Sequence, residues 1–355
     1  MPGTGWVSRS MNTHNLRKVP DGDGKRTYTR TETAVRDLPV SLHLLGGTSL
    51  VDRIFETHRA RLTALAYRML GSHADAEDAV QDVWLRWRQQ DQDMIKDATG
   101  WLVRVCSNIC LDVLKSARRQ RENYVGNWLP EPWLPPEQPK AEQQLIEQDG
   151  LGQAYMLMLE RLAPVERVAL VLHEVFDWVH DDIAPLIERT PNNTRQILFR
   201  ARRKMQRESD RDATPEPDST TCDRAKLDAF VTAIGCSDVS GLLDLLAPDV
   251  ILHSDGGGKA LATANPLYGA DHVSRFFIGV WGKRSADERV FHITLDDECW
   301  LLMVENGVVT TGICASERDG RIIDLFVHRN PDKLALFSPV LAGAIPIELS
   351  NKKAG

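Results

Sequence analysis

Apolar positions between Val51 and Arg121 recur at helical spacing. In "DRIFETHRARLTALAYRMLG", residues Ile54, Phe55, His58, Leu62, Leu65, Ala66 and Met69 share one side, and Gly71 is placed to close the helix as a C-cap. A second helix is expected over "SHADAEDAVQDVWLRWRQQ", capped by Ser72 or Asp75. Acids crowd its first turn and Arg86 and Arg88 sit near its end, a polarity that suits the helix dipole. Polar "DQDMIKDAT" interrupts, and "GWLVRVCSNICLDVLKSARRQRE" predicts a third long helix. The pattern then breaks. In "NYVGNWLPEPWLPPEQ", Pro130, Pro132, Pro135 and Pro136 forbid a helix and favour extended backbone. Trp128, Leu129, Trp133 and Leu134 are costly to leave in water, so this linker is expected to dock on something.

Helical periodicity resumes at about Glu142 and runs to Arg207. Within it, Ile183, Ala184 and Ile187 form one apolar stripe and Ile197, Ala201 and Met205 another. Thr190 can cap the second of these helices and Pro191 fits its first turn. Two short helices, a tight turn and a polar second N-terminus describe a helix-turn-helix. A polar joint, "DRDATPEPDSTT", follows. Beyond it the pattern turns to α+β: short helices over "DRAKLDAFVTAIGCSDVSGLLDLLAPDV", a strand at "VILHSD", a helix at "ADHVSRFFIGVWG" and then alternating strands. Asn306-Gly307 and Asp319-Gly320 supply hairpin turns. The fold class expected is multidomain: two all-α modules followed by an α+β cone with one packed face.

Charge changes this picture at one place. The chain is acidic, with net charge −7 and a pI near 5.8, yet Thr190–Arg207 holds six basic side chains and no acid. A salt-bridged solvent face would alternate signs. Asn192, Asn193, Arg195 and Gln196 are types that pair with base edges, and Arg200, Arg202, Arg203, Lys204 and Arg207 suit phosphates. This segment is read as DNA-binding. The acidic remainder implies weak binding alone and a partner for affinity. The cysteines lack CxxC pairs and are read as reduced, mostly buried thiols. No apolar run spans a bilayer, and the first 48 residues are read as a disordered arm without a signal sequence, which points to the cytoplasm.

"ADAEDAVQDVWLRW", "GWLVRVCSNICLDVLKSARR" and "LAPVERVALVLHEVFDWVHDDIAPLIERTPNNTRQILFRARRKM", in this order, resemble the extracytoplasmic-function (ECF) sigma factors of bacterial RNA polymerase. "NWLPEP", "SDGGGK" and "NPDKL" resemble the subgroup with a SnoaL-like C-terminal extension of NTF2-like fold. The resemblance implies an arm (1–48), sigma domain 2 (49–122), a Pro/Trp-rich linker (123–141), sigma domain 4 (142–209), a joint (210–220) and a SnoaL-like domain (221–345). It implies core RNA polymerase and promoter DNA as partners. Asp75, Glu77, Asp78, Gln81, Asp82 and Trp84 match the polymerase-docking helix. Trp101, Arg104, Asn108, Asp112, Lys115, Arg118 and Arg119 match the helix that recognises and melts the minus-ten element. Asn192, Asn193, Arg195, Gln196, Arg200, Arg202, Arg203 and Lys204 match the reader of the minus-thirty-five element. Trp128, Leu129, Pro130, Glu131 and Pro132 are expected to meet Asp255, Gly256, Gly257, Gly258 and Lys259 in a regulatory contact, with Trp128 and Trp133 near the extension. Glu188 stands where many family members carry Gly, and Thr194 replaces a usual apolar residue.

Related cones include enzymes, so His253, Asp255, Asp271, His272, Asp324 and His328 are candidates for acid–base work. Fold does not fix function, and a regulatory, non-enzymatic role is the expectation here. Neither cofactor nor metal is called for, and a small ligand of the cone stays open. Two other functions are compatible with the residues: a helix-turn-helix regulator with a ligand-sensing cone, and an enzyme with a DNA-binding appendage.

Overall fold

The computed structural model describes residues 50–91, 94–121, 124–133, 152–211, 220–285, 287–295 and 297–347. The N-terminal arm, residues 134–151, the joint at 212–219, and Gln92 and Asp93 of the loop before the third helix lie outside the described residues.

Helix α1 (Leu50–Leu70) ends at Gly71, whose φ of +69° takes the left-handed conformation expected of a C-cap. Ser72 caps α2 (His73–Gln89), its hydroxyl accepting from the Asp75 amide at 3.4 Å. With α3 (Ala98–Arg121) these form the first helical module. Helices α4 (Gln153–Glu160), α5 (Pro164–Glu174), α6 (His180–Leu186) and α7 (Pro191–Arg211) form the second. Their apolar faces merge with those of α1–α3 into one cluster, from Phe55, Leu65 and Trp87 to Val168, Leu172 and Ala201. Arg167 seals the junction: it is buried, and its guanidinium donates to the Met69 carbonyl at 2.7 Å and pairs with Glu160. The carboxylate and the carbonyl offset the cost of burying that charge.

After β1 (Thr220–Thr221), helices α8 (Arg224–Gly235), α9 (Val239–Leu245) and α10 (Ala270–Trp281) pack on a sheet ordered β3-β2-β7-β6-β5-β4-β8. Its strands are β2 (Leu246–Asp255), β3 (Leu267–Tyr268), β4 (Arg289–Leu295), β5 (Glu298–Glu305), β6 (Val308–Arg318), β7 (Arg321–His328) and β8 (Ile345–Pro346). Only β2 and β7 pair in parallel on this path. Asn306 and Asp319, each followed by glycine, adopt positive φ as the hairpins require.

One expectation needs revision: both faces of the sheet are packed. Leu252, Leu301, Ile313 and Leu325 meet the helices, while Trp300, Leu302, Cys314 and Phe326 point the other way. The second face is covered by Leu334 of α11 (Pro331–Leu334), by Phe337, and by Leu129 of the linker; Ala154 and Leu157 of α4 pack against its edge. A strand that buries both faces loses the clean alternation that marks a half-buried sheet. Leu129→Ala is expected to lower the stability of the C-terminal domain by about 2–4 kcal/mol, read as a shifted denaturant midpoint. An unchanged midpoint would mean that Leu129 contributes nothing to this core.

Candidate functional site: two reading surfaces and a linker clamp

Glu77, Asp78, Gln81 and Asp82 form an exposed, mostly acidic face on α2. Asp75 is half-buried beside its cap, and Trp84 turns inward, its ring 4.9 Å from that of Phe55 with Arg88 over it at 5.4 Å. On α3, Arg104, Asn108, Asp112 and Lys115 line up along one exposed side, and Lys115 pairs with Asp112 at 3.3 Å. Trp101 is half-buried, its ring 5.5 Å from Trp87, so much of it belongs to the core. The backbone at Arg118 and Arg119 is helical, and their side chains lie outside the described residues.

The helix-turn-helix is built from α6 and α7. Ala184 and Ala201 are both buried. Glu188 adopts φ +54° in the turn, the conformation for which glycine is usual, so the fold tolerates a side chain at that position. Thr190 caps α7, its hydroxyl accepting from the Asn193 amide at 3.3 Å. Thr194 is fully buried, with its own hydroxyl returned to the Thr190 carbonyl at 3.1 Å, which explains how a polar residue serves at an apolar position. Asn192, Arg195, Gln196, Arg200 and Arg203 are exposed, and Asn193 is half-buried. Arg202 and Lys204 are committed elsewhere: they bind Glu174 and Glu166 of α5, each at 2.6 Å. Phe199, absent from the residues singled out by sequence, is 65% exposed and shares an open recess with Arg195, Gln196 and Arg200.

The linker is clamped from three sides. Asp255, at the end of β2, has no exposed surface, and its carboxylate accepts from the Leu129 amide at 3.0 Å, the Tyr124 hydroxyl at 2.7 Å and the Gly257 amide at 3.0 Å. Lys333 of α11, also buried, pairs with the same carboxylate at 2.7 Å and donates to the Leu129 carbonyl. Its ammonium stands 4.3 Å from the Trp128 ring centre, a cation–π contact. Asn330 donates to the Tyr124 hydroxyl at 3.0 Å. Burial and the adjacent Asp255 carboxylate push the Tyr124 hydroxyl well above its ordinary value, keeping it a donor. The glycines permit this approach: a Cβ at Gly257 would fall 2.4 Å from the Asn330 amide nitrogen, and one at Gly258 3.1 Å from Val125. Lys259 pairs with Asp332 at the exposed rim.

Two residues after Leu129 the chain turns to the helices. Tyr67 donates to the Glu131 carbonyl, the Glu131 amide donates to the Gly71 carbonyl at 2.9 Å, and Gln153 of α4 reaches the Glu131 carbonyl at 3.2 Å. The His73 amide donates to the Glu131 carboxylate and its ring Nε2 to the Pro132 carbonyl at 2.8 Å, and the ring stacks on Trp133 at 5.3 Å. Trp133 therefore docks in the helical core, and only Trp128 lies against the C-terminal domain. Tyr124, Asn330, Lys333 and Gln153 were not singled out by sequence as site residues. "NPDKL" held two of them, but nothing local says that its lysine is buried.

The six acid–base candidates split between the two faces of the sheet. His253 pairs with Asp324 at 3.1 Å and stacks on Phe326, and Asp255 holds the linker. His328 is buried against Trp300 with neither ring nitrogen hydrogen-bonded; burial, then the nearby Lys333, lowers it to about 3, so it stays neutral. Asp271 and His272 are exposed on α10, over the opposite face.

Comparison with known proteins gives this geometry its context. Residues 54–120 match the family Sigma-70 region 2, and residues 152–205 match Sigma-70, region 4. The chain is 32% identical over 296 residues to the ECF RNA polymerase sigma factor SigJ of Mycobacterium tuberculosis, covering 79% of this chain and 91% of that protein. The chain belongs to the ECF RNA polymerase sigma factors. A probable ECF sigma factor of the same organism, SigI, is 35% identical over 233 residues, covering 65% of this chain and 77% of that one. The crystal structure of M. tuberculosis SigJ superposes with a TM-score of 0.63 at 28% identity, over 80% of this chain and 98% of that one. This sigma factor thus carries a SnoaL-like α+β domain behind its two helical modules, and its partners are core RNA polymerase and promoter DNA.

Asp255→Ala in this sigma factor leaves the Lys333 ammonium buried without its counter-ion and is expected to cost about 3–5 kcal/mol in denaturant unfolding. The double variant Asp255→Leu/Lys333→Met is expected to recover most of that loss, because no lone charge remains buried. Equal losses in the two variants would show that the ion pair is not what the single change breaks.

Proposed function

We propose that this sigma factor docks on core RNA polymerase through the α2 face of Glu77, Asp78, Gln81 and Asp82, with Asp75 and Trp84 shaping that helix. It engages the minus-ten element through α3, where Arg104, Asn108 and Lys115 are exposed and Trp101 is in part a core residue. It reads the minus-thirty-five element through Asn192, Asn193, Arg195 and Gln196, with Arg200 and Arg203 on phosphates. Arg202 and Lys204 would first have to leave Glu174 and Glu166. The compartment is the cytoplasm, where polymerase and promoter are found; among the described residues no helix is long and apolar enough to cross a membrane.

The C-terminal domain regulates rather than catalyses, because its buried carboxylate Asp255 is spent on holding the linker. That observation carries the reading. The two DNA elements are named for positions about 25 base pairs apart, roughly 85 Å along a duplex at about 3.4 Å per step. Two modules of this size that share one core have centres only about 30 Å apart. The clamped chain is therefore a closed form, and polymerase binding must separate the modules and draw the linker from its seat.

Reversal of Asp78 and Asp82 to lysine is expected to abolish comigration with core RNA polymerase in size exclusion while leaving the melting temperature of the free chain within about 2 °C, since both side chains are exposed. Comigration by the reversed variant would contradict this docking face.

A further inference from the structure

The entrance to the helix-turn-helix holds two imidazoles that no role above uses, close to cationic groups of α7. His180 opens α6, and its ring centre lies 5.0 Å from that of His173 on α5. The His173 Nδ1 sits 2.8 Å from the Trp178 carbonyl, which can only accept, so the ring donates from Nδ1. Arg195 and Arg202 of α7 are close enough to act on His180 electrostatically. The nearby acids are Glu174, which is bound to Arg202, Asp177, and Asp181 and Asp182 in the first turn of α6, of which Asp181 opposes the shift of His180. Partial burial first, then His173, Arg195 and Arg202, lower His180 from its ordinary value, so the free chain carries it neutral at pH 7. Among the described residues no carboxylate lies within ion-pair distance of the His180 ring. When the second helix of such a motif enters the major groove, the first crosses the DNA backbone, which brings a phosphodiester to this entrance.

We propose that His180, flanked by His173 and Arg195, is a phosphodiester contact of the minus-thirty-five reading module, made in its protonated form, so that promoter binding takes up a proton. This rests on the assignment of the helix-turn-helix to the minus-thirty-five element. A phosphate beside His180 favours the charged imidazole, so the group titrates higher in the complex than in the free chain. Affinity then rises as pH falls through the interval between those two values. Arginine contacts to phosphate, by contrast, hold across the whole range. The protonated imidazole also releases one further counterion, which steepens the salt dependence only under acid conditions.

The test is binding of the full chain, assembled with core RNA polymerase, to a fluorescent duplex whose minus-thirty-five sequence has been selected from a random pool by that same holoenzyme. Between pH 8 and pH 6 the wild type is expected to gain about three- to tenfold more affinity than His180→Gln. Its slope of log K against log salt is expected to be steeper by roughly 0.9 at pH 6 than at pH 8, with one slope at both pH values in His180→Gln. The same pH gain and salt slopes in both proteins overturn the proposal. If Arg195→Ala binds the selected duplex as tightly as wild type at every pH, the helix-turn-helix assignment itself falls, and the proposal with it.

Discussion

The pairing of Asp255 with Lys333 holds the rest of this arrangement in register. Both groups are buried, and each offsets much of the cost of burying the other. The carboxylate then has acceptor capacity left, which the Leu129 amide, the Tyr124 hydroxyl and the Gly257 amide take up. The ammonium has donors left, and one goes to the Leu129 carbonyl. Both backbone groups of Leu129 are thus fixed by one ion pair, and its side chain completes the second core of the C-terminal domain. A proline-rich segment has few amides of its own to offer, and this one presents its single amide between Trp128 and Pro130 to the buried carboxylate.

From that anchor the chain has only Pro130 to cross before Glu131, and then Trp133, dock on the helices. The linker is therefore a strap that ties the sheet to the junction of the two helical modules, where Arg167 joins α5 to the end of α1. On the proposed function, in which the two DNA-reading surfaces separate on polymerase, a strap of this kind would convert an event at the C-terminal domain into a change in module spacing.

Much of this was legible in the sequence where periodicity and turn chemistry agree. The helices α1 to α3, the Thr190–Pro191 start of the recognition helix and the Asn306-Gly307 and Asp319-Gly320 hairpins are local decisions, and the chain makes them as local propensities direct. The docking of the linker was legible from its exposed cost: Trp128 and Leu129 could not stay in water. The partners of Asp255 were not, because they come from positions 124, 129 and 333, joined only by tertiary packing. The assignment of Trp133 to the extension failed for the same reason, since composition says that a tryptophan is buried and not against what. Arg202 and Lys204 looked like phosphate contacts among a run of bases, yet Glu174 and Glu166 lie a helix away in sequence and directly beside them in space.

Hydrogen exchange across residues 124–133 tests the clamp most directly, followed by mass spectrometry on the full chain and on Asp255→Asn. In the wild type the Leu129 amide, bound to a carboxylate with no exposed surface, should exchange as slowly as the interior of the sheet. In Asp255→Asn the linker should exchange within seconds while α1 and β6 keep their protection. Linker exchange that is equally fast in both proteins, or equally slow, would contradict the claim that this ion pair seats the strap.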